Sequence, residues 1–312
     1  MDQTINRSAS EGPDLTGTWE IKGRNPILGA TLLLLLVGSI YFAVQVIAQI
    51  AVFGIGALVG DAPTSGILRD TYQPLLLAIV AGTQYVILLG GGLWGVRRWH
   101  TPDVAAYLRL DRFSAPGALL GTVGALAIVP PAQYIAQYLS DLVPGLRKLA
   151  ESTSFLIAAD SPGELVAIVA ALAFTPAVCE EFFFRAYFQR TLERGVRGVW
   201  SVVIAGALFA LFHQQVLTLP SLLLVGVYLS YLYYAFGSPY PVAIAHFLYN
   251  AVQLVLANVA VDAGWIDPET GFSLPAAVAG LVVLGVVLGT AERLRRSRRS
   301  ATTAPERFPE DR

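Results

Sequence analysis

Cys179-Glu180-Glu181-Phe182-Phe183-Phe184-Arg185 lies toward the end of an apolar segment, Leu165–Phe188, and places two adjacent carboxylates and a guanidinium within it. Seven further apolar segments carry no Asp, Glu, Lys or Arg: Pro26–Val59, Pro74–Val96, Ala115–Leu139, Val199–Leu217, Leu219–Phe236, Tyr240–Asn258 and Leu274–Ala291. A helix needs about 20 apolar residues to cross a ~30 Å hydrocarbon core. The expected fold is therefore an all-α polytopic membrane protein of about eight transmembrane helices. A carboxylate at the bilayer centre costs roughly 2.5–3.5 kcal/mol on insertion scales. A pair of them is expensive unless partnered, so the pair is a candidate functional feature.

Composition agrees with a membrane solvent: 55% of the 312 residues are hydrophobic and only 14% charged. Mean hydropathy is +0.59. These values exclude an ordinary soluble enzyme, and no nucleic-acid partner is expected. The lipid bilayer is the first partner. If the N-terminus is cytoplasmic, every Lys and Arg except Arg69, Arg147 and Lys148 falls on the inner side. The positive-inside bias then puts both termini in the cytoplasm and fits an even number of spans. No cleavable signal peptide is visible, because the first apolar run follows about 25 polar residues and is too long for an h-region. The single cysteine, Cys179, excludes an intrachain disulfide framework and a multi-cysteine metal site. Only two of the basic residues, Lys22 and Lys148, are lysines. That arginine bias points to a GC-rich prokaryotic source and to its cell membrane.

The chain divides into a mobile N-tail (1–25), three N-terminal spans (26–142), an extracytoplasmic loop (143–162), a four-helix segment (163–258), a loop with the last span (259–292) and a basic tail (293–312). The first span is long enough to tilt or to break near Gly54-Ile55-Gly56. Pro130-Pro131 should kink the third by removing backbone donors. Gln45, Gln49 and Gln84 read as neutral hydrogen bonds between helices. The loop charges Arg147, Lys148, Glu151 and Asp160 read as solvated, and His100 as an interfacial residue. The run Arg293–Arg299 reads as a stop-transfer signal, with an anionic-lipid site as the alternative.

Glu181 and Arg185, at i and i+4, can pair and so offset much of the cost of burying Glu181. Glu180, about 100° away on the helix, then faces elsewhere. The plain alternative places both carboxylates at the headgroups. The fifth segment carries Phe209-x-x-x-His213, where the ring can fix the imidazole, although a lone histidine in an apolar helix is commonly a satisfied core residue. The seventh carries His246-x-x-x-Asn250, again on one face. Two of the three histidines thus lie within spans. Counting ~1.5 Å per residue, the glutamates and His246 lie toward the cytoplasmic ends and His213 lies about 20 Å deep. Convergence requires a shifted or tilted fifth helix and gives a cavity opening toward the cytoplasm.

In order and spacing, Glu180-Glu181-x-x-x-Arg185, Phe209-x-x-x-His213 and His246-x-x-x-Asn250 resemble the three motifs of the CPBP intramembrane proteases. That family comprises type II CAAX prenyl endopeptidases and bacteriocin-processing and self-immunity proteins. The resemblance spans 180–250 and implies peptide-bond hydrolysis in the membrane without an acyl-enzyme. It implies Glu180 and His213 as the water-activating groups, His246 and Asn250 as oxyanion donors, and Glu181, Arg185 and Phe209 as support. The implied partner is a peptide or membrane-protein substrate. Prenylated peptides serve one branch only and are not expected in a prokaryote. No cofactor is favoured, though Glu180, His213 and His246 form a possible zinc set of the two-His-one-carboxylate type. The family carries a metalloprotease label, yet the chain lacks His-Glu-x-x-His. A Cys179 thiol protease is a further alternative. A non-proteolytic immunity or scaffold protein and a proton-coupled transporter are the rival functions.

Overall fold

The computed structural model describes residues 18–59, 66–143, 145, 154–215, 218–260 and 271–303. Among these residues the chain is helical and no strand occurs. A short helix α1 (Thr18–Ile21) precedes α2 (Pro26–Val59), and α3 runs over 66–100. After α4 (Val104–Tyr107) come α5 (Ala115–Leu142), α6 (Pro162–Leu192), α7 (Gly198–Phe212), α8 (Leu219–Phe236), α9 (Pro239–Val259) and α10 (Leu274–Thr303). Seven of these are long and apolar enough to cross a membrane, and α7 is a shorter apolar helix of 15 residues. Leu35, Ile47, Val86, Leu119 and Val282 are exposed on their outer faces. A lipid-facing surface requires that, since helices satisfy their own backbone and need only apolar side chains outside.

Local chemistry sets the helix ends. Ser114 caps α5, accepting from the Gly117 N–H at 3.3 Å, and Ser161 caps α6, accepting from the Glu164 N–H at 3.2 Å. Pro116 and Pro162 occupy early positions where no N–H is required. Gly237 ends α8 in the left-handed region, at φ +60°, with its N–H on Tyr233 O at 2.7 Å. α5 continues through Pro130-Pro131. Pro131 leaves the Ala127 carbonyl without its helical donor, and α10 seats Gly280 directly against that carbonyl.

Two apolar clusters organise the bundle. One joins α2, α3, α6 and α7 through Leu33, Leu88, Phe183, Phe184, Tyr187 and Phe209. The other joins α5, α8, α9 and α10 through Ile128, Tyr228, Leu232, Tyr249 and Val287. α7 and α8 form a hairpin whose backbones touch: a Cβ on Gly226 would stand 2.5 Å from Gly206 O. Glycine at both positions permits that approach.

Several boundaries differ from the hydropathy reading. α2 runs unbroken through Gly54–Gly56. α6 extends to Leu192 rather than Phe188, so Glu180 and Glu181 sit near mid-span. α7 stops at Phe212, with His213 as its cap and Gln214 at φ +53°. Residues 18–24, expected in a mobile tail, are folded against the bundle. Glu20 binds Arg194 at 2.9 Å and His100 at 2.8 Å. His100, at the same helix end, is fully buried between Glu20 and Tyr187. The loop before α6 is pinned by Gln73, which donates to Phe155 O at 2.7 Å, and by Asn258, which donates to Ile157 O at 2.8 Å. The expected tail before Thr18, the loop charges Arg147, Lys148 and Glu151, and the chain beyond Thr303 lie outside the described residues.

Candidate active site

The backbone of α6 changes hand-hold between the two glutamates. Thr175–Glu180 is α-helical and Glu181–Gln189 is π-helical, with i→i+5 hydrogen bonds. Such stretches are rare and recur at functional sites. Glu181 accepts from Arg185 Nη1 at 2.7 Å, the pair that the i, i+4 spacing anticipates. Arg185 is fully buried, donates Nη2 to Gly226 O at 3.3 Å and lies 4.1 Å over the Phe209 ring. The close Gly206–Gly226 contact brings that carbonyl within reach.

The same Glu181 oxygen lies 2.7 Å from His246 Nδ1. A carboxylate already paired with a guanidinium accepts, so Nδ1 donates and Nε2 is the free end of the imidazole. The seventh-segment histidine is thus fixed by Glu181.

Glu180 is 4% exposed. Its Oε1 accepts from Gln84 Nε2 at 3.2 Å. Its Oε2 is buried without a hydrogen-bond partner and lies 3.8 Å from His213 Nε2. His213 Nδ1 is 2.8 Å from Phe209 O, and since a carbonyl only accepts, Nδ1 carries the proton. In the neutral ring Nε2 is then a lone pair. Two acceptors face each other with no hydrogen between them, and a water at ~2.8 Å from both could donate to each.

Phe209 joins these groups. Its ring lies 4.6 Å from His213 and 5.7 Å from His246. Asn250 donates Nδ2 to Leu172 O at 3.3 Å, in a second π-helical stretch of α6, which ties α9 to α6. Cys179 is enclosed in the apolar cluster with Leu88 and Phe183.

α7 explains how His213 reaches this depth. Its 15 residues span about 22 Å, short of the ~30 Å core. The end of this short helix brings His213 level with mid-span Glu180.

Among the described residues no group of three or more His, Cys, Asp or Glu is arranged to hold a metal ion. Glu180, His213 and His246, the possible zinc set, are not among any such group; Nδ1 of each imidazole donates, His246 to Glu181 and His213 to Phe209 O. A metalloprotease reading has no support in this arrangement.

Two contributors escaped the sequence reading. Gln84 reads from sequence as a neutral hydrogen bond between helices, and the structure makes Glu180 its partner. Gly226 supplies a carbonyl to Arg185, and its only signal in sequence is a glycine in an apolar run.

Residues 162–252 match the family model described as type II CAAX prenyl endopeptidase Rce1-like. No curated protein and no solved structure matches the chain. The matched segment contains Glu180, Glu181, Arg185, Phe209, His213, His246 and Asn250. The chain is thus an integral membrane protein whose segment 162–252, with the site it carries, is similar to the Rce1-like type II CAAX prenyl endopeptidases.

Proposed function

We propose that the chain is an intramembrane endopeptidase in which Glu180 and His213 together activate the attacking water. The observation that carries this reading is the pair of facing acceptors, Glu180 Oε2 and His213 Nε2, 3.8 Å apart in a buried site. A water held between them loses a proton to the pair as its oxygen adds to the scissile carbonyl. The tetrahedral oxyanion then accepts from His246 Nε2–H and from Asn250 Nδ2–H. Because His246 Nδ1 already donates to Glu181, a donating Nε2 makes the ring an imidazolium, which the Glu181 carboxylate stabilises. The C–N bond breaks as the proton held by Glu180 and His213 passes to the leaving amine, so the balance closes with no covalent enzyme intermediate. Glu181, Arg185, Phe209 and Gln84 are positioning residues.

The exposed amides Gln214 and Gln215 at the hairpin tip support water entry beside His213. The charge asymmetry supports an orientation with both termini in the cytoplasm. The substrate class is a peptide or a membrane-protein segment. Cleavage of a reporter peptide in detergent, for wild type and Glu180→Ala, with and without chelator, tests the reading. It expects loss of cleavage in the variant and survival with chelator. Full activity in Glu180→Ala overturns it.

A further inference from the structure

Where α2 begins and α3 ends, a cavity of about 250 Å³ is lined by Trp19, Lys22, Arg24, Trp94, Arg98 and Trp99, together with Thr18. The indoles form a cluster: Trp19 and Trp99 lie 5.2 Å apart, Trp94 and Trp99 5.4 Å. The Arg24 guanidinium sits 4.8 Å over Trp19. Arg98 Nη1 donates to Thr18 Oγ1 at 2.6 Å, which holds it at the cavity wall. Among the described residues no carboxylate pairs with Lys22, Arg24 or Arg98. The acidic side chain of that turn, Glu20, is taken by Arg194 and His100.

Three uncompensated cations and three indoles therefore surround one cavity at the level of a helix start and a helix end. That is headgroup depth, where tryptophan concentrates and where anionic lipids attract Lys and Arg. We propose that this cavity binds the phosphate headgroup of an anionic membrane lipid. Lys22, Arg24 and Arg98 meet the phosphate oxygens, and the indoles pack around the glycerol and the first acyl carbons. One wall belongs to α1, so the lipid also fastens the folded N-terminal segment to the ends of α2 and α3.

Native mass spectrometry of the full-length protein in detergent, titrated with phosphatidylglycerol or phosphatidylcholine, tests the proposal. Wild type should retain phosphatidylglycerol in preference to phosphatidylcholine. Lys22→Gln, Arg24→Gln and Arg98→Gln should each weaken that binding about fivefold. A control carrying Arg97→Gln, Arg293→Gln and Arg296→Gln removes the same charge away from the cavity and should bind as wild type. Equal retention of the two lipids, or a loss in the control as large as in the cavity variants, overturns the proposal. Displacement of phosphatidylglycerol by inorganic phosphate alone places a soluble anion there and overturns the lipid assignment. If binding appears only after Asp2→Asn, Glu11→Gln and Asp14→Asn, the chain's own tail is the occupant and the proposal fails.

Discussion

Glu181 Oε1 accepts at 2.7 Å from both Arg185 Nη1 and His246 Nδ1, so one buried oxygen holds a guanidinium and an imidazole together. Glu181→Gln leaves the Arg185 charge buried without its counter-ion, and breaking such a pair costs about 3–5 kcal/mol. The thermal midpoint in detergent should fall accordingly. Adding Arg185→Met removes the orphaned charge and should restore much of the stability. Cleavage should stay low, because His246 has lost the group that orients it. A fully active double variant contradicts the positioning role of Glu181.

Gln84 fixes Glu180 Oε1 and thereby turns Oε2 toward His213. Gln84→Leu should lower kcat about tenfold, equivalent to ~1.4 kcal/mol of transition-state stabilisation, with KM unchanged. A change confined to KM would place Gln84 in substrate binding instead.

The α7–α8 hairpin tolerates no side chain at Gly226. A Cβ there would lie 2.5 Å from Gly206 O and 3.1 Å from Phe209 Cδ1, and the backbone carbonyl cannot swing away. Gly226→Ala should cost about 1–3 kcal/mol through overpacking. It should also cut cleavage on the order of 100-fold, since Gly226 O and Phe209 both locate Arg185. Gly285→Ala, where a Cβ meets nothing within 4 Å, is the matched control and should be silent in both assays.

Glu20 anchors the N-terminal segment in a pH-dependent way. Burial works against its charge, but the hydrogen bonds and charges of Arg194 and His100 outweigh it and hold the carboxyl below the usual range. A carboxyl lowered in the folded state contributes stability that is present above its unfolded pKa, about 4, and lost as pH falls through the folded value. Amide hydrogen exchange in residues 18–24 should therefore be slow at neutral pH and quicken only below about pH 4. Glu20→Gln should exchange fast at neutral pH, and equal protection in wild type and variant would contradict the anchor.

The spans were legible because a bilayer imposes a one-dimensional demand, about 20 apolar residues in a row, that composition alone reports. The Glu181–Arg185 pair was legible for a similar reason, since both residues share a helix and their spacing fixes their reach. Contacts between helices were not. The partner of His246 depends on how α9 packs on α6, and Gln84 meets Glu180 across 96 positions of sequence. The matching depth of Glu180 and His213 was not legible because hydropathy ended α6 at Phe188 and so placed Glu180 too near the cytoplasmic end. The short hairpin and the longer α6 bring the two groups level.

The central claim is that Glu180 and His213 act on one shared water. A double-mutant cycle on reporter cleavage, with Glu180→Gln, His213→Gln and the combined variant, tests it most directly. Each single variant should lose about 10²–10⁴ in kcat, and the double should lose no more than the worse single, because either change removes the same event. Losses that multiply in the double variant, or full activity in Glu180→Gln, would contradict the account.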